Sequence, residues 1–308
     1  MDAATLKPRW TEALLEHARA HALTASLLSL TLLVVLGLLA QGLMRILTGH
    51  APVGLSLALM GGTVAFAATA IGALPALAMK DIPQRVEDSL LGFSAGMMLA
   101  ASAFSLLLPG LASGAEILSS RPLGAGVVVI GMSLGVLLML GLDQFTPHEH
   151  DGRGPCGPGV EHCGRMWLFV FAIALHNLPE GMAIGVSFAQ GDMGVGVPLT
   201  TAIALQDLPE GLAVALALRR AGFAAGVAVL VAAASGLLEP IGALLGVGLS
   251  SGMALAYPIG LGLSAGAMIF VVSHEVIPET HRHGHERDAT LGLMAGFALM
   301  MVLDTTLG

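Results

Sequence analysis

The stretch Ile173-Ala174-Leu175-His176-Asn177-Leu178-Pro179-Glu180-Gly181 returns thirty residues later as Ile203-Ala204-Leu205-Gln206-Asp207-Leu208-Pro209-Glu210-Gly211, with seven of nine positions unchanged. Each copy lies near the middle of an apolar run, 166–190 and 195–218, long enough to cross roughly 30 Å of hydrocarbon as a helix. An ionised side chain at the centre of such a span costs on the order of 2.5–3.5 kcal/mol, so polar groups placed there in a set have a task to perform. The fold expected is an all-α polytopic membrane bundle with a polar site in its middle.

The rest of the chain agrees. Hydrophobic residues make up 55% of 308 positions and charged residues 11%, against roughly 25% charged in a soluble domain. Nine spans are expected, at about 22–47, 53–78, 89–109, 123–142, 166–190, 195–218, 222–249, 253–273 and 289–307. The first is too long for the apolar core of a signal peptide and is read as a retained helix.

Basic residues stay in short cytoplasmic loops, and this sets orientation. With the N-terminus inside, Lys7, Arg9, Arg19, Lys80, Arg85, Arg153, Arg165, Arg219, Arg220, Arg282 and Arg287 fall on the cytoplasmic side, against Arg45 and Arg121 on the other. An odd number of spans then puts the C-terminus outside, periplasmic for a bacterial inner-membrane protein. Cys156 and Cys163 lie in a loop read as cytoplasmic, where disulfides are uncommon. No phosphate-binding loop, dinucleotide fingerprint or basic-aromatic nucleic-acid patch is present in the sequence.

Internal duplication is visible beyond the central pair. Ile71-Gly72-Ala73-Leu74 returns as Ile241-Gly242-Ala243-Leu244, and Gly92-Phe93-Ser94-Ala95-Gly96 as Gly262-Leu263-Ser264-Ala265-Gly266, both 170 positions on. GVLLMLGLD ending at Asp143 matches GFALMMVLD ending at Asp304, at an offset of 161. Spans 2–4 therefore echo spans 7–9. Five spans separate the copies, an odd number, so the repeat is inverted, as in many transporters. The expected organisation is a cytoplasmic segment 1–21, an extra span 22–52, a three-helix repeat 53–142, a His/Gly-rich loop 143–165, a central hairpin 166–218 and a second three-helix repeat 219–308.

Helical spacing puts His176 and Asn177 on the same face as Glu180, and Gln206 and Asp207 on the same face as Glu210. Pro179 and Pro209 free the carbonyls of Leu175 and Leu205. Glu239, beside Pro240 in the seventh span, adds a carboxylate at similar depth. So many acids in one hydrocarbon layer repel one another unless they are protonated or bridged by cations. An imidazole with carboxylate and amide oxygens, and no thiolate, suits Zn²⁺, Cd²⁺, Fe²⁺ or Mn²⁺ rather than Cu⁺. The competing reading is a hydrogen-bonded polar seam between helices.

The tandem HNLPEG and QDLPEG helices, followed by Glu-Pro on the next span, resemble the ZIP (zinc/iron-regulated transporter-like) family from about residue 53 to the C-terminus. The resemblance implies uptake of Zn²⁺, with Cd²⁺ as a surrogate, through a two-metal centre without ATP. His176, Glu180, Gln206 and Glu210 would hold one ion, with Met98 adjacent. Asn177, Asp207 and Glu239 would complete a second site sharing Glu180 and Glu210. It also implies that spans 2, 5, 6 and 7 move as a block against spans 3, 4, 8 and 9, and that the latter supply a homodimer interface. The first span is additional to the family's eight-helix pattern.

His274 and Glu275, at the cytoplasmic end of the eighth span, precede His281, His283 and His285; His274, Glu275 and His285 are read as an exit ladder of weak metal ligands. The loop with His148, His150, His162, Cys156 and Cys163 is expected to be flexible rather than folded. Two other functions fit the sequence less well. An intramembrane metalloprotease would show H-E-x-x-H, but His274-Glu275-Val276-Ile277 is followed by Pro278. A proton-coupled carrier of an organic substrate would need a roomier, more aromatic site than a chain with 4% aromatic residues offers.

Overall fold

The computed structural model describes residues 10–49, 53–145, 148–150, 154–156 and 165–308. The described chain is almost wholly helical. After α1 (Trp10–Ala20) and α2 (Ala22–Leu47) come α3 (Leu55–Ala73), α4 (Gln84–Ala101), α5 (Leu108–Leu118), α6 (Arg121–Phe145), α7 (Arg165–Phe188), α8 (Met193–Arg220), α9 (Ala225–Ser235), α10 (Leu238–Ser250), α11 (Ala256–Val271), the short α12 (Ile277–Thr280) and α13 (Glu286–Leu307). Among the described residues, eight helical runs are long and apolar enough to span a membrane. Nine were expected; the 24-residue α7 lies between the fourth and fifth of these eight and is not counted among them.

Burial is inverted relative to a protein in water. Leu33 is 68% exposed, and Leu30, Leu36, Ile130 and Leu291 also face outward, whereas Glu180 and Glu239 are 0% exposed and Asp207 2%. Hydrocarbon outside and carboxylates inside are what a bilayer selects. The third span is longer than expected, because Gln84–Leu118 continues through Ser102–Leu107 at one end and takes in Glu87 and Asp88 at the other. Those two acids are tolerated because both are buried and paired: Glu87 with Arg220, and Asp88 with His283 and His285.

The loop between α6 and α7 departs from expectation. Instead of being wholly irregular it holds an antiparallel hairpin, β1 (His148–His150) with β2 (Gly154–Cys156), in the register His148 to Cys156 and His150 to Gly154. His162 and Cys163 lie outside the described residues.

The duplication is written into the packing. A Cβ on Gly181 of α7 would overlap the carbonyl oxygen of Glu239, and a Cβ on Gly211 of α8 would overlap that of Thr69. The two contacts are the same contact in the two copies, since 181 and 211 differ by 30 and 69 and 239 by 170. Likewise Gly96 of α4 meets Leu293 of α13, and Gly266 of α11 meets Met132 of α6. α4 thus pairs with α13 as α11 pairs with α6, while α3 packs on α8 as α10 packs on α7. Small residues at these crossings let backbones touch, the usual basis of close packing between membrane helices.

Two further features recur. α4 passes into a π-helical turn at Ser102–Leu107 and α11 into one at Val272–Val276, 170 residues later. Pro109 and Pro278 follow closely, and each proline ring would clash with the carbonyl four residues back in a regular helix, so the turn widens. The seventh span is broken: Gly236 and Leu237 separate α9 from α10, and Pro240 occupies the first turn of α10. Proline costs little there, because the first amides of a helix have no intrahelical acceptor. Glu239 consequently lies at an interior helix N-terminus rather than in mid-helix, where the helix dipole favours its charge.

Candidate metal centre

α7 and α8 are consecutive and antiparallel, and Asp192 caps the start of α8 by accepting from the amides of Gly194 and Val195 at 2.9 and 3.3 Å. That hairpin, with α3 and α10 packed on it, brings the two copies of the Pro-Glu-Gly sequence together. Oxygens of Glu180, Asp207 and Glu210 all lie within 4.8 Å of one another. Gln206 Nε2 donates to Glu180 Oε1, and Ser94 Oγ donates to the Gln206 carbonyl at 3.1 Å, tying α4 to the centre. On the other side Glu239 Oε1 accepts from Thr69 Oγ1 at 2.7 Å and from Asn177 Nδ2 at 3.4 Å.

Five buried oxygens here have no hydrogen-bond donor among the described residues: Glu180 Oε2, Gln206 Oε1, Asp207 Oδ2, Glu210 Oε1 and Glu239 Oε2. Leaving such groups unsatisfied is costly, more so for charged ones. For Glu180 and Glu239 the neighbouring donors are used on the opposite oxygen, by Gln206 in one case and by Thr69 and Asn177 in the other. Glu180, Asp207 and Glu210 each offer an oxygen to one shared region, and carboxylate oxygens so grouped are of the kind a divalent cation takes.

The other expected residues lie outside the three-carboxylate group. His176 Nε2 lies 3.3 Å from Glu275 Oε2 in the π-helical turn. His274 Nε2 is 3.8 Å from Asp143 Oδ2 at the end of α6. His285 sits just before α13 with Nδ1 2.9 Å from Asp88 Oδ2, and His283 Nδ1 is 3.2 Å from Asp88 Oδ1. His285 is therefore paired with the start of α4, while Glu275 is paired with α7. Met98 and its repeat mate Met268 are buried in the main apolar cluster.

Thr69, Ser94, Asp88 and Asp143 were not among the residues singled out as ligands from sequence. Thr69 had a signal: it is 170 positions before Glu239, the same offset as the recognised repeat. At the far end of the bundle Ser105 Oγ donates to Asp304 Oδ1 at 2.7 Å, in the copy related to the Glu275 and Asp143 region by the same offsets.

Comparison with known proteins places the chain in a family. The model of the "ZIP Zinc transporter" family matches residues 146–304. The chain is 61% identical over 306 residues to zinc transporter ZIPB of Bordetella bronchiseptica, covering 99% of this chain and 98% of that one. It belongs to the ZIP family. ZIP relatives extend further: zinc transporter GufA of Myxococcus xanthus is 41% identical over 83% of this chain and 99% of its own length. Zinc transporter ZIP11 of Bos taurus is 30% identical over 85% of this chain and the whole of its own. A ZIP chain is a transporter rather than an enzyme, which sets the metalloprotease aside.

Proposed function

We propose that this protein carries Zn²⁺ across the membrane, into the cytoplasm, through a two-ion centre formed by Glu180, Glu210, Asp207, Gln206, His176, Asn177 and Glu239. The observation that carries the reading is the group of three carboxyl groups with oxygens within 4.8 Å of one another, Glu180 and Asp207 buried and Glu210 half-buried, each with an undonated oxygen. Family membership supports zinc as the substrate, since the relatives compared above are named zinc transporters. Glu180 and Glu210 are shared by the two ions; Asn177, Asp207 and Glu239 complete the second site. Cd²⁺, with overlapping ligand preferences, is accepted as a surrogate.

Ions released toward the cytoplasm pass from His176 to Glu275, 3.3 Å away, then to His274 and Asp143, with His285 beyond. The pairing of α3, α7, α8 and α10 with one another, and of α4 with α13 and α6 with α11, supports two blocks that move against each other. The second block supplies the homodimer interface. The N-terminus is cytoplasmic and the protein resides in the bacterial inner membrane, as the distribution of basic residues supports. The nucleotide-free sequence is consistent with passive or secondary transport.

The test is Zn²⁺ flux into liposomes holding purified protein. Glu180→Ala and Glu210→Ala abolish flux, and Glu239→Ala reduces it less. Normal flux through folded Glu180→Ala protein sinks the reading.

A further inference from the structure

The least explained contact at the centre is the one between Thr69 and Glu239. Thr69 is 5% exposed on α3, and its hydroxyl has two acceptors in reach: Glu239 Oε1 at 2.7 Å and the Ala65 carbonyl at 3.3 Å. A hydroxyl has one proton, and the shorter, charge-assisted bond to the carboxylate is the stronger. Asn177 donates to the same Oε1 at 3.4 Å, so both donors meet one oxygen of Glu239 while its Oε2 is buried without one. The backbone and Cβ that carry the hydroxyl are packed from two sides. The Thr69 carbonyl lies where Gly211 has no Cβ, and the Thr69 Cβ is 3.1 Å from where a Cβ on Gly236 would stand.

Thr69 and Glu239 are also repeat mates, 170 positions apart, meeting where the two copies face each other. Were both positions acidic, two carboxylates would be in contact. The duplicated frame instead provides one acid and one donor. We infer that Thr69 is a positioning residue for the transported metal: its hydroxyl fixes Glu239 so that Oε2 alone is presented to the second ion. This rests on the two-ion reading proposed above. Partners of metal-ligating carboxylates commonly govern affinity through such hydrogen bonds, their loss costing about 10–100-fold.

The experiment is calorimetric titration of the purified full-length protein with Zn²⁺ as sole probe. Wild type takes up two ions per chain and Glu239→Gln one. Thr69→Val, equal in volume but without the hydroxyl, weakens the second ion about 10–100-fold and leaves the first unchanged; Thr69→Ser restores wild-type binding. Unchanged first-ion affinity also reports that the variant is folded, and if Thr69→Val does not insert, Thr69→Cys, a weaker donor of similar size, carries the same expectation. Two ions bound by Thr69→Val with wild-type affinities overturn the Thr69 inference alone. Equal weakening in Thr69→Val and Thr69→Ser overturns it too, by assigning the effect to packing. A single ion on wild type overturns the two-ion reading and the inference with it.

Discussion

Removing the guanidinium at the end of α8 has a cost that the geometry sets. Arg220 donates to both oxygens of Glu87, Nη1 to Oε2 at 2.8 Å and Nη2 to Oε1 at 2.7 Å, and reaches Asp81 at 3.1 Å. The Glu87 side chain is 6% exposed and that of Arg220 34%. Breaking a wholly buried pair costs about 3–5 kcal/mol, whereas an exposed pair contributes about 0.2–1. With the acid buried and the base one-third exposed, Arg220→Met lies between, on the order of 2–3 kcal/mol. Most of that is the penalty of stranding Glu87, so Arg220→Met combined with Glu87→Gln recovers much of it. Equilibrium unfolding in mixed detergent micelles, run as a double-mutant cycle, should give a coupling energy of about 2 kcal/mol. Because Arg220 is ten residues from Glu210 along one helix, roughly 15 Å, Zn²⁺ affinity at the centre stays unchanged. Additivity of the two substitutions within about 0.5 kcal/mol would refute the reasoning.

Three other outcomes are expected. Gly211→Ala places a methyl against the backbone oxygen of Thr69, which cannot rotate aside, and destabilises by about 1–3 kcal/mol in the same unfolding assay. Deleting 148–162 leaves Zn²⁺ flux in liposomes intact, because the segment lies between α6 and α7 whereas the central oxygens come from α7, α8 and α10; complete loss would implicate the loop in transport. Zn²⁺ affinity falls as pH drops from neutral to mildly acidic, since protons compete for His176 and the carboxylates, and His176→Asn flattens part of that fall; titration at several pH values checks it.

What could be read from sequence was whatever leaves a periodic or local trace. The spans, the tandem motif and the inverted repeat were legible because small residues recur wherever two backbones must touch, as at Gly96 and Gly266. The position of Glu239 was legible only in part: the Glu-Pro pair marked it, but the break at Gly236 and Leu237 shows that the proline opens a helix rather than bending one. Partners across space were not legible. Nothing local tells His176 that its neighbour is Glu275, or that Asp88 satisfies His283 and His285, because those contacts depend on how helices distant in sequence pack together. The long third span was underestimated because hydropathy counts Glu87 and Asp88 as breaks, whereas ion pairs make them tolerable inside.

The two widened turns, Ser102–Leu107 and Val272–Val276, bear on which changes this chain survives in evolution. Each holds about one residue more than regular winding needs, and each residue turns a helix by roughly 100°. Everything beyond the turn is therefore aimed relative to everything before it by a count of residues. Replacing one side chain there leaves the count alone, whereas losing a single codon swings the following segment by about 100° and carries Leu108 or Ile277 from one side of the bundle to another. Length at these two places should thus be held more strictly than identity across descendants of the duplication.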